Sequence, residues 1–243
     1  MAKLHQQMRK PKNPAHGSVT KLVDDSYAVS FARSSEGAGS YCDKKCRLWD
    51  LCYASKLEKM PTRKSLRDML ERRAGMAIEI IEASIKWMPR DFRWMRWSVF
   101  GSVPSKKQLG KKWDKWSKLF RKANKQALDS GADIHLPVES MEKAKDYRKA
   151  LHGLPIVVRR SDQSETLAGV LQSTDARSWV AGEVKWRYTD LAKAENERKG
   201  IEAVRAIRAA GQTAVKCPYP RLKCGTCRAC SHPSVDVVVY VAH

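Results

Sequence analysis

The chain has 243 residues, 42% of them hydrophobic, which is enough to bury a core and too apolar for a wholly disordered polymer. Its 47 lysines and arginines against 26 acids leave a formal net charge of +21, a self-repulsion that a polyanion relieves, so nucleic acid is the expected partner. No run of about 18 apolar residues is present and the N-terminus lacks the apolar stretch of a signal peptide, so the expectation is a cytoplasmic protein without membrane contact.

Residues 1–23 carry Lys3, Arg9, Lys10, Lys12 and Lys21 and no acid, while Pro11, Pro14 and Gly17 oppose a long helix. This segment reads as a basic arm able to lie along phosphates, and residues 24–243 read as a single α/β domain. Tyr27, Val29 and Phe31 alternate within 25–33, the period of a first strand. A Gly/Ser loop at 34–40 then leads to Cys42-x3-Cys46-x5-Cys52. Three thiolates in one loop can turn their sulfurs inward around a metal. Three ligands leave one iron of a four-iron cluster open, whereas a histidine or a cysteine from the late group would close the site.

Between 61 and 88, Leu66, Met69, Leu70, Ala77, Ile80, Ile81 and Ser84 recur at helical steps, and Pro89 marks the end. Arg63, Lys64 and Arg67 crowd the start of that helix, where cations oppose the dipole and an anionic partner would relieve the conflict. Residues 92–103 predict a buried strand with Trp94 and Trp97 in the core. The stretch 105–126 follows with Lys106, Lys107, Lys111, Lys112, Lys115, Lys118, Arg121, Lys122 and Lys125 against the single acid Asp114, a net charge of +8. Leu109, Trp113, Trp116, Phe120 and Ala123 step by four, three, four and three, one apolar stripe with the cations on the remaining faces. Ordinary solvated faces mix the two signs; this one does not, and it reads as a phosphate-binding helix.

Strand, helix and strand then alternate. Residues 134–138 predict a strand, Ser140 caps a helix to Leu151 with Gly153 beyond it, and 154–158 predict the next strand before Arg159-Arg160-Ser161-Asp162. Short apolar runs surround Val170 and Val180. Thr189 caps a helix through Lys199, Gly200 interrupts it before 201–210, and 235–241 is a closing strand. This order predicts βαβ units in a parallel sheet or partial (β/α) barrel.

Ahead of the closing strand stands Cys217-x6-Cys224-x2-Cys227-x2-Cys230, with Pro218, Pro220 and Gly225 favouring tight turns. Four soft sulfurs suit tetrahedral zinc or an iron–sulfur cluster. Without a secretion signal, all seven cysteines read as reduced ligands in metal-binding loops near both termini. Both loops are expected at one end of the α/β body, with His232 as a substitute ligand.

The order of Cys52-Tyr53-Ala54, Gly101-Ser102, Arg160-Ser161-Asp162 and Cys217 to Cys230 resembles an uncharacterised cysteine-motif family of phages and mobile elements. It is also remotely similar to radical S-adenosylmethionine enzymes, in which three cysteines after the first strand hold a four-iron cluster. The spacing there is x3 then x2, against x3 then x5 here, and Ser102 replaces an acid. The resemblance implies a [4Fe–4S] cluster as the alternative to zinc, and S-adenosylmethionine wherever the open iron is used. The expected function is a metal-containing binder of DNA or RNA, a subunit beside other proteins of a phage- or plasmid-type nucleoprotein complex. Lysines would neutralise phosphates, and arginines or Tyr53 and Tyr219 would touch bases. The alternative is a radical enzyme acting on nucleic acid or a nucleotide.

Overall fold

A computed structural model describes residues 19–22, 26–29, 31, 41–42, 75–90, 92–98, 102–161, 166–181, 189–218 and 224–241. Its strands are β1 (Val19–Leu22), β2 (Ser26–Val29), β3 (Trp94–Trp97), β4 (Asp133–Val138), β5 (Val157–Arg160), β6 (Arg177–Ala181), β7 (Ala214–Lys216) and β8 (Val237–Val241). They form one sheet in the order β1-β2-β3-β4-β5-β6-β8-β7. β1 pairs antiparallel with β2, and every other pairing is parallel. Parallel neighbours require a crossover, and helices supply it. They are α1 (Ala77–Lys86), α2 (Lys106–Leu109), α3 (Trp113–Asp129), α4 (Met141–Ala150), α5 (Leu167–Leu171), α6 (Asp190–Ala209) and α7 (Cys224–Cys227). The fold is α/β with a predominantly parallel sheet, as the alternation of elements predicts.

Side chains alternate across each strand, and the helix layer takes one set. Met95 and Trp97 of β3, Ile134, Leu136 and Val138 of β4 and Val158 of β5 join Trp116, Phe120, Ala144 and Tyr147 in one buried core. A second core packs Val237, Val239, Ala214 and Ala181 against Ala203, Val204 and Ile207 of α6. The aromatic groups bring polar handles that find partners. Trp97 Nε1 donates to Asn124 Oδ1 at 2.9 Å, Trp116 Nε1 donates to the Tyr147 hydroxyl at 3.1 Å, and that hydroxyl donates to the Pro104 carbonyl at 2.7 Å.

Several boundaries differ from the sequence reading, each for a local reason. Residues 19–22 belong to the sheet as an edge strand, so the basic arm is shorter than 1–23; residues 1–18 lie outside the described residues. The strand within 92–103 ends at Trp97 because Ser98 turns into the left-handed region at φ 61°. The helical stretch 105–126 is two helices, broken at Gly110 (φ 51°), and Ser105 and Gln108 close a capping box on the first. The strand expected at 154–158 is shifted to Val157–Arg160. It takes in two arginines because acceptors await both, the carbonyls around Arg159 and the Asp175 carboxylate 3.9 Å from Arg160. β7 carries too few residues for a period to show. Gly200 does not interrupt a helix at all; α6 runs through it.

Gly200 is there for approach, not for flexibility. A Cβ at that position would stand 2.6 Å from Val241 Cγ2 on β8, so only a hydrogen lets α6 settle on the sheet. Gly200→Ala is therefore expected to destabilise the fold by about 1–3 kcal/mol despite the better helix propensity of alanine. Urea denaturation measures it, and adding Val241→Ala should return part of the loss.

Candidate functional site

The sheet face away from the long helices carries the other half of each strand. Register puts Arg96 beside His135 and Val157, and Pro137 beside Arg159, so Trp94, Arg96, His135 and Arg159 share this face. Ser178, Val238, Val180 and Tyr240 continue it on β6 and β8. Such a face would normally be apolar or wet; here it is polar and buried, with Trp94 and His135 each 2% exposed and Arg159 0%.

Arg159 organises it. Its Nε donates to the Cys230 carbonyl at 2.9 Å. Nη1 donates to the carbonyls of Arg177 and Asp236 at 3.0 and 3.1 Å, and Nη2 to those of Val235 and His232 at 3.0 and 3.4 Å. A guanidinium has five N–H donors, and each one has an acceptor. The segment from Cys230 to Asp236 is thereby pinned across the sheet, and Arg228 adds an ion pair to Asp133 at 2.9 Å.

The Cys230 thiol meets the Tyr240 hydroxyl at 2.9 Å. Burial pushes the thiol up, with the Tyr240 hydrogen bond, Arg159 and Arg96 pulling the other way; burial likewise holds the Tyr240 phenol well above its ordinary range. The pair is neutral as it stands, and a metal at Cys230 would require the thiolate. Cys217 extends β7, its N–H donating to the Val239 carbonyl at 2.7 Å, and Cys227 closes α7. His232 is exposed and turned to its own loop, Nδ1 lying 2.7 Å from the Ser234 hydroxyl, rather than to the cysteines. Cys46, Cys52 and the side chain of Cys224 lie outside the described residues. Among the described residues no group of three His, Cys, Asp or Glu side chains is placed to hold a metal ion.

Cys42 is positioned by a second buried cation. Lys143 of α4 donates from Nζ to the Tyr41 carbonyl at 2.9 Å, the Ser102 hydroxyl at 2.9 Å and the Val103 carbonyl at 2.8 Å, and it pairs with Glu139. Ser102 also donates to Glu139. Residues 102–103 and 139 follow the carboxyl ends of β3 and β4, so Tyr41 and Cys42 stand at the carboxyl edge of the sheet. Cys217 follows the carboxyl end of β7, at the same edge. The late segment does not stay at that edge, since Arg228, two residues before Cys230, meets Asp133 at the amino end of β4.

The basic stretch lies on the other side of the molecule. Leu109, Trp113, Trp116, Phe120 and Ala123 are all buried. Lys106, Lys107, Lys111, Lys112, Lys115, Lys118, Arg121, Lys122 and Lys125 are all exposed. Lys115 bridges to Glu82 of α1 at 2.9 Å, and Arg121 donates to the His152 carbonyl at 2.7 Å. Lys111, Lys118, Lys122 and Lys125 make no ion pair among the described residues. Arg63, Lys64, Arg67, Tyr53 and Tyr219 lie outside the described residues.

Sequence reasoning missed Trp94, Arg96, His135 and Tyr240, which read as ordinary strand residues. The available signal was Arg96 on β3 and Asp133 and His135 on β4, charged or polar residues alternating with apolar ones, the mark of a second face. No family model matches the chain, and no curated protein and no solved structure matches it either. Among the described residues no helix is long and apolar enough to cross a membrane.

Replacing Arg159 by methionine would leave five carbonyls without their donor. The expected cost is about 3–5 kcal/mol in urea denaturation, together with faster reaction of the Cys230 thiol with a disulfide reagent. Arg159→Lys should not restore either, because one ammonium offers three donors on a single point.

Proposed function

We propose that the chain is a nucleic-acid-binding protein that grips the phosphate backbone with its α2–α3 helices, in the cytoplasm and as one subunit of a larger nucleoprotein assembly. One observation carries this reading. Lys111, Lys115, Lys118, Lys122 and Lys125 recur at four-, three-, four- and three-residue steps, diametrically opposite the buried stripe of Trp113, Trp116, Phe120, Ala123 and Ala127. At about 1.5 Å per residue the row is roughly 21 Å long, a line of cations that a phosphate strand can follow. Within 105–126 Asp114 is the only acid, and Asp129, the last residue of α3, adds one carboxylate at the far end of the row, four residues past Lys125.

Such a row carries no base information. Binding would be strong at low salt, weakly selective for sequence, and steeply salt-dependent through counterion release. For the triple variant Lys111→Ala, Lys118→Ala, Lys122→Ala, the slope of log K against log salt on duplex DNA should become shallower by about 2.7. These lysines are exposed, so circular dichroism should be unchanged. An unaltered slope would remove the row from the interface, and the same titration on duplex RNA and on single strands ranks the substrates.

Metal binding belongs to the proposal through the chemistry of the donors, seven cysteines in two groups, with Cys42 and Cys217 at one edge of the sheet. Zinc or a [4Fe–4S] cluster would be held by Cys217, Cys224, Cys227 and Cys230, and by Cys42, Cys46 and Cys52. The second reading, an S-adenosylmethionine-dependent radical enzyme, is favoured by the position of Cys42. It stands at the carboxyl edge of parallel strands, where open α/β sheets place their ligands. A reduced cluster with one open iron would supply an electron for cleaving that cofactor. Anaerobically purified protein separates the cases. About four irons per cluster with broad visible absorption point to iron–sulfur, whereas colourless protein with stoichiometric zinc ends the radical reading.

A further inference from the structure

The helix-free face of β3 and β4 holds buried polar atoms without partners. Both ring nitrogens of His135, the indole Nε1 of Trp94 and the hydroxyl of Ser98 have no hydrogen bond among the described residues. His135 and Trp94 are each 2% exposed, and their rings lie 6.0 Å apart. Native interiors pair more than nine in ten such groups, and leaving one unpaired is costly. Three of them on adjacent strands are better explained by a ligand than by chance.

The chemistry of the patch defines that ligand. Trp94 offers a donor only, and neutral His135 one donor and one acceptor. His135 is held neutral because burial, and then Arg96 and Arg159, keep its pKa well below the ordinary value. The Arg96 and Arg159 guanidinium groups stand close to it, while Asp133 is paired with Arg228 and the Asp236 carboxylate, near Arg159, accepts from the Thr213 N–H. Donors in excess of acceptors, in a positive field shielded from water, suit an oxyanion.

We propose that the face of β3 and β4 formed by Trp94 and His135, beside Arg96, is a binding site for a small oxyanion-bearing ligand, a phosphate or a carboxylate. It is separate from the lysine row, which lies on the helix layer. Here the anion is recognised by fixed donors rather than by mobile ammonium groups.

The test is thermal denaturation of the full chain with inorganic phosphate and with malonate as probes, against chloride at equal ionic strength. At ~100-fold excess over Kd the bound probe should raise Tm by about 5–10 °C, and which probe does so assigns the class. His135→Leu should abolish that rise and, by removing an unpaired polar group, raise the Tm of the ligand-free protein. Trp94→Phe keeps the ring and deletes one donor; it should weaken the probe at least tenfold at unchanged ligand-free Tm, which keeps the test decisive if His135→Leu fails to fold. The Lys111, Lys118, Lys122 alanine variant should respond like the parent. Neither probe raising Tm above chloride would overturn the site. So would an equal rise in His135→Leu and Trp94→Phe, which would put the anion on the surface lysines.

Discussion

A guanidinium sealed from water must satisfy five donors at once, and Arg159 does so only because three parts of the chain arrive together. β5 brings the side chain, β6 brings the Arg177 carbonyl, and the 230–236 turn brings the remaining four acceptors. The group can be neither shifted nor neutralised without leaving a buried charge or buried carbonyls unpaired, and either costs several kcal/mol. This fixes the late cysteine segment to the sheet. Cys230, Tyr240 and the Arg228–Asp133 pair take their positions from it.

The surplus of positive charge is sorted by depth. On the helix layer it stands in water and repels itself, cheap to keep and ready for a polyanion. Arg159 on the helix-free face and Lys143 at the carboxyl edge are buried and spend their donors on backbone carbonyls, Ser102 and Glu139. One residue class thus does two physically distinct things, contact outside and anchorage inside. Net charge alone cannot divide them.

What the sequence makes legible is whatever depends on a period. The stripe of Trp113, Trp116, Phe120 and Ala123 is buried as its spacing requires, and so is the α1 face of Ala77, Ile80, Ile81 and Ser84. The caps at Ser140 and Thr189 follow from local chemistry and hold. Contacts between distant segments leave no such trace. Gly200 reads as a helix breaker until Val241 is seen above it, and Arg159 reads as a residue just past a strand until its carbonyls are located. His135 and Trp94 are invisible in the same way, because the face they share exists only once β3 and β4 are paired.

The position of β8 has a consequence for how the chain is made. β8 lies between β6 and β7, and β7 pairs with β8 alone among the described strands. Val204 and Ile207 of α6 share their core with Val237 and Val239. During synthesis β7 therefore has no strand to pair with, and α6 lacks the Val237 and Val239 part of its core, until residues 237–241 leave the ribosome. The β2–β5 half can pack earlier, on residues already made. The molecule should mature in two instalments, and a nascent chain halted before residue 237 would show an apolar α6 face to chaperones and proteases.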